Sequence, residues 1–365
     1  MVSGKQRLGS SQGGPRAAAL LAPGAVITMR DVAQASGVSQ STVSRVLSGA
    51  TTSVPIADAT KERIQAAARE LGYRPNPLAR ALRGMRTMLL GVIVRDITDP
   101  FFGSAIEAAS IEASQRGYNI VLGHAHGRAD EAIALWRVLE SRHCDAILLL
   151  GDMSDQPRLI SDLREAQVPV VALWQGSHTE GIASVSVDNR AGMMAVLEHL
   201  AELGHRRIGF VAGRRLGDIS EREEAYLAFI DQLGEPRREG YVQHLNNVPT
   251  AGTTALRHLL ALPEPPTAVV ASTDVLAIGV LHEAHERQLR VPADLSVTGF
   301  DDIPLAAFTV PALTTVRMPV REMVGTAVRM VVDEASTDRT DPPPPLVLQP
   351  SLVVRSSTGP VPSAG

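Results

Sequence analysis

Between Gln40 and Arg45 the chain sets an amide, three hydroxyls and a guanidinium side by side: Gln40, Ser41, Thr42, Ser44 and Arg45. Presented on one face of a helix, such groups can hydrogen-bond base edges and phosphates. A second chemistry is offered by Phe101, Phe102 and Trp174, flat apolar rings that either stack on a sugar or base face or pack a core. A third belongs to Arg222, whose planar fork holds hydroxyls or a carboxylate in two bonds. His124, His126 and Asp130 offer metal-ligating atoms, but their spacing in a polar loop fits a solvated surface better, and no metal is expected.

The polar run needs a scaffold, and the flanking residues supply one. Thr28 and Asp31 have capping-box spacing, so a helix starts near Met29, with the Thr28 hydroxyl available to an orphan amide and Asp31 reaching back to the cap. Val32, Ala33 and Ala35 give that helix an apolar side, and Gly37 ends it where the turn needs positive φ. Ser39 can cap a second helix, on which Val43, Val46 and Leu47 share one face while Gln40, Ser41, Ser44 and Arg45 point away. This is the pattern of a helix-turn-helix, although a plain helical hairpin with a solvated face shares it locally. A third helix from Thr60 to Leu71, for which Asp58 is the candidate cap, buries Ile64, Ala67, Ala68 and Leu71 and stops at Gly72. Asn76 and Pro77 then open a short helical segment closed by Gly84, too short to be stable by itself in water.

From Met88 onward the periodicity changes to apolar strands alternating with helices. Strands are expected at Leu89 to Val94, Asn119 to Leu122, Ala146 to Leu150, Val168 to Leu173, Ile208 to Ala212, Ala268 to Ala271, Leu295 to Gly299 and Ser351 to Arg355. Such alternation specifies parallel, doubly wound sheets, and so long a run exceeds one comfortable sheet. Two lobes with a cleft between them follow, and ligands of such sheets bind at the carboxyl ends of the strands. The Asp99-Pro100-Phe101-Phe102 loop and Trp174 both fall at such ends.

Net charge separates the same two regions. The 365-residue chain carries −4, but residues 28–87 hold nine Lys or Arg against four acids, or +5, and the first 27 residues add +3. Subtracting this +8 leaves −12 for residues 88–365. Any nucleic acid should therefore meet the basic head and avoid the acidic body. The single cysteine, Cys144, cannot form an internal disulfide and reads as a buried structural thiol, which fits a reducing cytoplasm. Residues 1–27 are rich in Gly, Ser, Ala and Gln and read as a disordered leader; Pro23 and Gly24 interrupt its one apolar run, and no run is long enough to span a membrane.

The stretch from Thr28 to Leu47, TMRDVAQASGVSQSTVSRVL, resembles the N-terminus of the LacI/GalR family of transcription regulators. The family's second block is also present, as Glu70-Leu71-Gly72-Tyr73-Arg74-Pro75-Asn76 followed by Pro77 to Gly84. The resemblance implies a three-helix helix-turn-helix head, a hinge helix, and a two-lobed α/β effector domain like a periplasmic sugar-binding protein. The expected divisions are a leader 1–27, head 28–75, hinge 76–87, effector and dimerisation domain 88–358 and disordered tail 359–365. The chain passes between lobes near Ala172 to Asp188 and returns near Pro311 to Met318.

By the same resemblance, the residues that meet DNA are Thr28, Ser39, Gln40, Ser41, Thr42, Ser44, Arg45 and Leu82, the last as a wedge in the minor groove. Those expected to hold an effector are Phe101, Phe102, Trp174, Arg222, Thr273 and Asp301. Arg222 matches the family's effector-binding arginine, and Asp301 the aspartate that accepts from ligand hydroxyls. Thr273 departs from the family's usual Asn, and Asp188 and Asn189 lie near the cleft by pattern. The implied protein is a homodimeric repressor that binds a palindromic operator and responds to a small molecule, a sugar by family weight, without a cofactor. No GxGxxG, P-loop, HExxH or nucleophile elbow points to an enzyme. A transport protein with a passive head would need a secretion signal, and none is found.

Overall fold

The computed structural model describes residues 27–48, 55–73, 86–141, 144–153, 157–173, 182–214, 217–335 and 344–362. Leader residues 1–26, the Asn76 to Gly84 segment with Leu82, and Trp174 lie outside the described residues. The chain divides into two compact units between Met85 and Arg86.

The first unit is a small helical head of α1 (Met29–Ser36), α2 (Gln40–Ser48) and α3 (Asp58–Glu70). Its core is made by Val32, Val43 and Ile64, all fully buried, with Ala33, Ala67 and Ala68 around them and Val46, Leu47 and Leu71 packed against it. Ala35 was expected on the inner face of α1 but is exposed. Positions 32, 33 and 36 share one side of an α-helix, so Ser36 is buried instead, its hydroxyl donating to the Val32 carbonyl at 2.6 Å. Gly37 ends α1 at φ +66°, where a side chain would be strained. Asp58 does not cap α3. It lies in the first turn and accepts from Lys61 Nζ at 2.8 Å, with Ala57 at the cap. Arg63 ties α3 to α1 by donating from Nε to the Ser36 carbonyl at 2.9 Å.

The second unit holds two parallel sheets. The first contains β1 (Leu89–Val94), β2 (Asn119–His124), β3 (Ala146–Leu150), β4 (Val170–Leu173), β5 (Ala183–Val187) and β11 (Leu346–Leu348), in the order β11-β5-β4-β3-β1-β2. The second contains β6 (Ile208–Ala212), β7 (Val242–His244), β8 (Ala268–Ala271) and β9 (Ser296–Thr298), in the order β7-β6-β8-β9. The helices that position the cleft are α4 (Pro100–Gln115), α5 (Ala129–Ser141), α6 (Pro157–Arg164), α7 (Asn189–Glu202), α8 (Gly217–Gln232), α9 (Pro249–Leu260), α10 (Asp274–Glu286) and α11 (Val320–Glu334).

Four strands escape the sequence reading: β5, β7, β10 (Thr315–Arg317) and β11. Each is short, and β5 carries Ser184 and Ser186 inward among its apolar residues, so its burial on both faces is invisible in composition. The chain leaves the first sheet after β5 and returns through β10, close to the two passages expected. A third passage was not anticipated: β11 completes the first sheet, and β12 (Ser351–Val353) then pairs antiparallel with β10. The expected disordered tail also begins too early. Gly359 donates to Ser296 Oγ at 3.1 Å and its carbonyl accepts from His205 Nε2 at 3.0 Å, while the Val361 amide donates to the Leu203 carbonyl at 2.8 Å. His205 is fully buried, and the tail carbonyl joins Ser296 Oγ at its Nε2 while Thr267 Oγ1 meets its Nδ1 at 2.9 Å.

Candidate functional site

In the head, Thr28, Ser39, Gln40, Ser41 and Arg45 are exposed and Thr42 and Ser44 are half-buried, all along α2 or at a helix start. Ser39 caps α2 by accepting from the Thr42 amide at 3.2 Å, and its hydroxyl lies 2.8 Å from both Ser41 Oγ and Thr42 Oγ1. The helix start thus presents a linked group of three hydroxyls next to the Gln40 amide. At α1, both the Thr28 amide and hydroxyl donate to Asp31 Oδ2, at 2.8 and 2.7 Å. The Thr28 hydroxyl holds the Asp31 carboxyl below the ordinary carboxylate range. Local sequence accounts for this geometry: apolar residues at helical spacing bury one face, and the polar residues between them have nowhere to point but outward.

In the second unit a cavity of about 340 Å³ lies at the carboxyl ends of both sheets. Phe101, Phe102, Arg222, Thr273 and Asp301 all line it. Asp99 caps α4, accepting from the Phe101 amide at 3.0 Å, and Pro100 supplies a pre-set first turn. Both rings are almost fully buried and meet edge to face with centroids 5.4 Å apart, so they pack the helix start and wall the cavity together. Gly151 allows this wall to form, because a Cβ there would lie 2.9 Å from Phe102.

Arg222 is the most constrained side chain in the cavity. It is 2% exposed, donates from Nε to Asn189 Oδ1 at 2.9 Å and from one Nη to the Ser272 carbonyl at 2.6 Å, and lies on the Phe300 ring at 3.6 Å. Its remaining reach goes to two carboxylates, Asp301 at 3.5 Å and Asp218 at 3.6 Å. Arg222 is thus shared between two carboxyls. Burial pushes both Asp218 and Asp301 above the ordinary range against the opposing pull of Arg222, and it raises Asp99 likewise. Asp301 also stands at φ +116°, a conformation non-glycine residues hold only where the surroundings impose it. Asp274 supplies part of that constraint: its carboxylate accepts from Thr315 Oγ1 at 2.5 Å and from the Ile303 amide at 2.8 Å, pinning the loop on either side.

Several lining residues were not singled out from the sequence. Arg95, Asp96, Asp152, Asp218, Asn246 and Asn247 join the wall, with Asp99. The rule that ligands meet loops after strands would have found Asn246 and Asn247, had β7 been recognised. Asn189 is brought to the site indirectly, as the partner of Arg222 Nε, whereas Asp188 caps α7 by accepting from the Ala191 amide at 2.8 Å and does not line the cavity. The His124 and His126 rings lie against each other with centroids 3.8 Å apart, whereas Asp130 is paired with Arg128. Burial pushes the Cys144 thiol up to about 11, as befits an inert structural residue.

A helix-turn-helix unit followed by a two-lobed α/β body with a polar interlobe cavity defines the class of ligand-responsive DNA-binding regulators. Residues 28–76 match the model of bacterial regulatory proteins of the lacI family, and residues 197–358 that of the periplasmic binding protein-like domain. The HTH-type transcriptional repressor CytR of Escherichia coli K12 is 32% identical over 336 residues, which cover 92% of this chain and 97% of that protein. Among solved structures, the lac repressor dimer bound to operator and the anti-inducer ONPF superposes with a TM-score of 0.79 at 25% identity, covering 91% of this chain and 99% of that one. The complex of the transcriptional regulator CelR with cellobiose gives 0.67 at 30% identity with the same coverage. The chain belongs to the LacI family, whose members are DNA-binding transcriptional repressors. Among the described residues no helix is long and apolar enough to cross a membrane.

Proposed function

We propose that this protein is a homodimeric repressor that binds a palindromic operator through α2 and is controlled by a neutral, hydroxyl-rich small molecule, a sugar, held in the interlobe cavity. The observation that carries the effector reading is the buried Arg222 set between Asp218 and Asp301 on the cavity wall, a pairing that offers donors and acceptors side by side to adjacent hydroxyls. Five aspartates against three arginines in the lining disfavour an anionic ligand. Phe101 and Phe102 supply the apolar surface a sugar ring needs on its other side. Gln40 and Ser41 face base edges in the major groove, with Thr42, Ser44 and Arg45 on bases or backbone beside them, and Thr28 and Ser39 at the helix starts.

Dimerisation has support in one surface segment. Leu305, Phe308 and Val310 are 55%, 80% and 93% exposed, an apolar cluster that a lone chain would leave in water. Effector binding alters DNA affinity because it favours one arrangement of the lobes over another.

The test is selection of sites from random duplex DNA by the purified full-length protein at near-physiological salt, followed by a panel of sugars on the winning site. A palindromic site whose affinity shifts with one sugar supports the reading; no enriched site overturns it. On that site Leu82→Ala should weaken specific binding by about tenfold or more while nonspecific binding changes little, as a minor-groove wedge requires.

A further inference from the structure

Two hydrogen bonds run directly from one lobe to the other across the cavity. The Gly217 amide at the start of α8 donates to Asp152 Oδ2, and Asn247 Nδ2 donates to Asp99 Oδ2 at 2.8 Å. The second is the more specific, because both partners are held from behind. Asn247 Oδ1 accepts from Thr273 Oγ1 at 2.6 Å, and Thr273 in turn caps α10 by accepting from the Leu276 amide. Asp99 uses its other oxygen to cap α4 through the Phe101 amide at 3.0 Å. A carboxylate can only accept, so it fixes which end of the Asn247 amide faces it. The result is a continuous line from the cap of α4 in one lobe to the cap of α10 in the other.

We propose that Asn247 is a positioning residue that ties the two lobes through Asp99, so that the degree of cleft closure is set by this amide and a ligand reaches the Asp99 oxygen only by supplying a donor in its place. The ligand clause rests on the effector reading above; the tie between the lobes does not. Thr273 has its purpose here too: a hydroxyl at this position both caps a helix and orients the Asn247 amide.

The chemistry of the pair provides a reciprocal test. Asn247→Asp sets two carboxylates against each other and should open the cleft, and Asp99→Asn removes the charged acceptor. The double exchange, Asp99→Asn with Asn247→Asp, restores every bond with the roles reversed. Asn at 99 donates to Asp at 247 and still accepts from the Phe101 amide, and Asp at 247 still accepts from Thr273. Net charge is unchanged.

Amide hydrogen exchange is measured on the full-length protein without added small molecule, with thermal unfolding in parallel. The expected result is exchange of the cleft amides, Gly217 and Phe101 among them, about tenfold faster in Asn247→Asp than in the original protein, a smaller rise in Asp99→Asn, and near-original exchange in the double exchange. Single variants that leave cleft exchange unchanged would overturn the proposal. So would a double exchange that opens or unfolds as readily as Asn247→Asp. Because no ligand is present, a negative outcome leaves the effector reading standing, and a failed sugar panel leaves the tie standing.

Discussion

The second helix of the head and the helix that carries Arg222 use polar residues in opposite ways. In α2 the apolar residues turn inward and the polar ones turn outward, so each polar side chain is cheap to hold. In α8 the arginine itself is turned inward, with Glu223, Ala225, Tyr226 and Phe229 also buried, and the helix has no polar stripe to read. An exposed functional group is specified locally by its neighbours in sequence. A buried one is specified by distant residues that satisfy it, here Asn189, Ser272, Phe300 and Asp301.

The comparison is tested most severely by packing. In the body, α9 and α10 touch at Gly252 and Gly279, where a Cβ on Gly279 would stand 1.8 Å from the Pro249 carbonyl oxygen. Gly279→Ala should therefore destabilise the body by more than ~3 kcal/mol, seen as a large fall in the thermal midpoint. In the head, Gly37 has open space around its Cα and only its positive φ to defend, so Gly37→Ala should cost about 1 kcal/mol. Equal losses at the two sites would remove the contrast.

Next in size is Arg222→Met, which takes the shared guanidinium away from Asp218 and Asp301. Destabilisation of roughly 3 kcal/mol is expected by denaturant unfolding, with loss of any sugar response.

The pH response should run in opposite directions at Asp274 in the body and at the first-turn acids of the head. Burial pushes the Asp274 carboxyl up to about 7, so between the unfolded value of 3.8 and that point the folded chain holds a proton that the unfolded chain has released. Its contribution is therefore present at low pH and lost as pH rises toward 7. Asp31 and Asp58 in the head are lowered instead, by hydrogen bonds from Thr28 and Lys61, so theirs is lost as pH falls through the lowered values. Denaturant unfolding at pH 4.5 and 7.5 should show Asp274→Asn reducing the difference between the two conditions by an amount on the order of 1 kcal/mol or more. An unchanged difference would mean that Asp274 is not the titrating group.

The smallest effect on stability should be Arg45→Ala. An exposed residue on α2 should change the melting behaviour by less than about 0.5 kcal/mol while DNA affinity falls about tenfold in a salt titration. A fall in stability that matches the fall in affinity would show that Arg45 serves the fold.

The head was legible in the sequence almost residue by residue, from the Thr28 to Asp31 cap through Gly37 to Val43, because capping, helical periodicity and positive φ are all short-range requirements. Its misplaced residues are off by one position, Ala35 for Ser36 on the inner face of α1 and Asp58 for Ala57 at the cap of α3. The sequence also determined the alternation of strands and helices in the body, and the family resemblance pointed to Arg222 and Asp301, which line the cavity. Tertiary structure alone decided the rest. It brought Asn247 against Asp99 and Thr273, and added β11 as an edge strand to complete the first sheet. It also packed Gly359 and Val361 onto the second lobe. These pairings join residues far apart in the chain, and three-residue strands show no periodicity until a neighbouring strand satisfies their backbone.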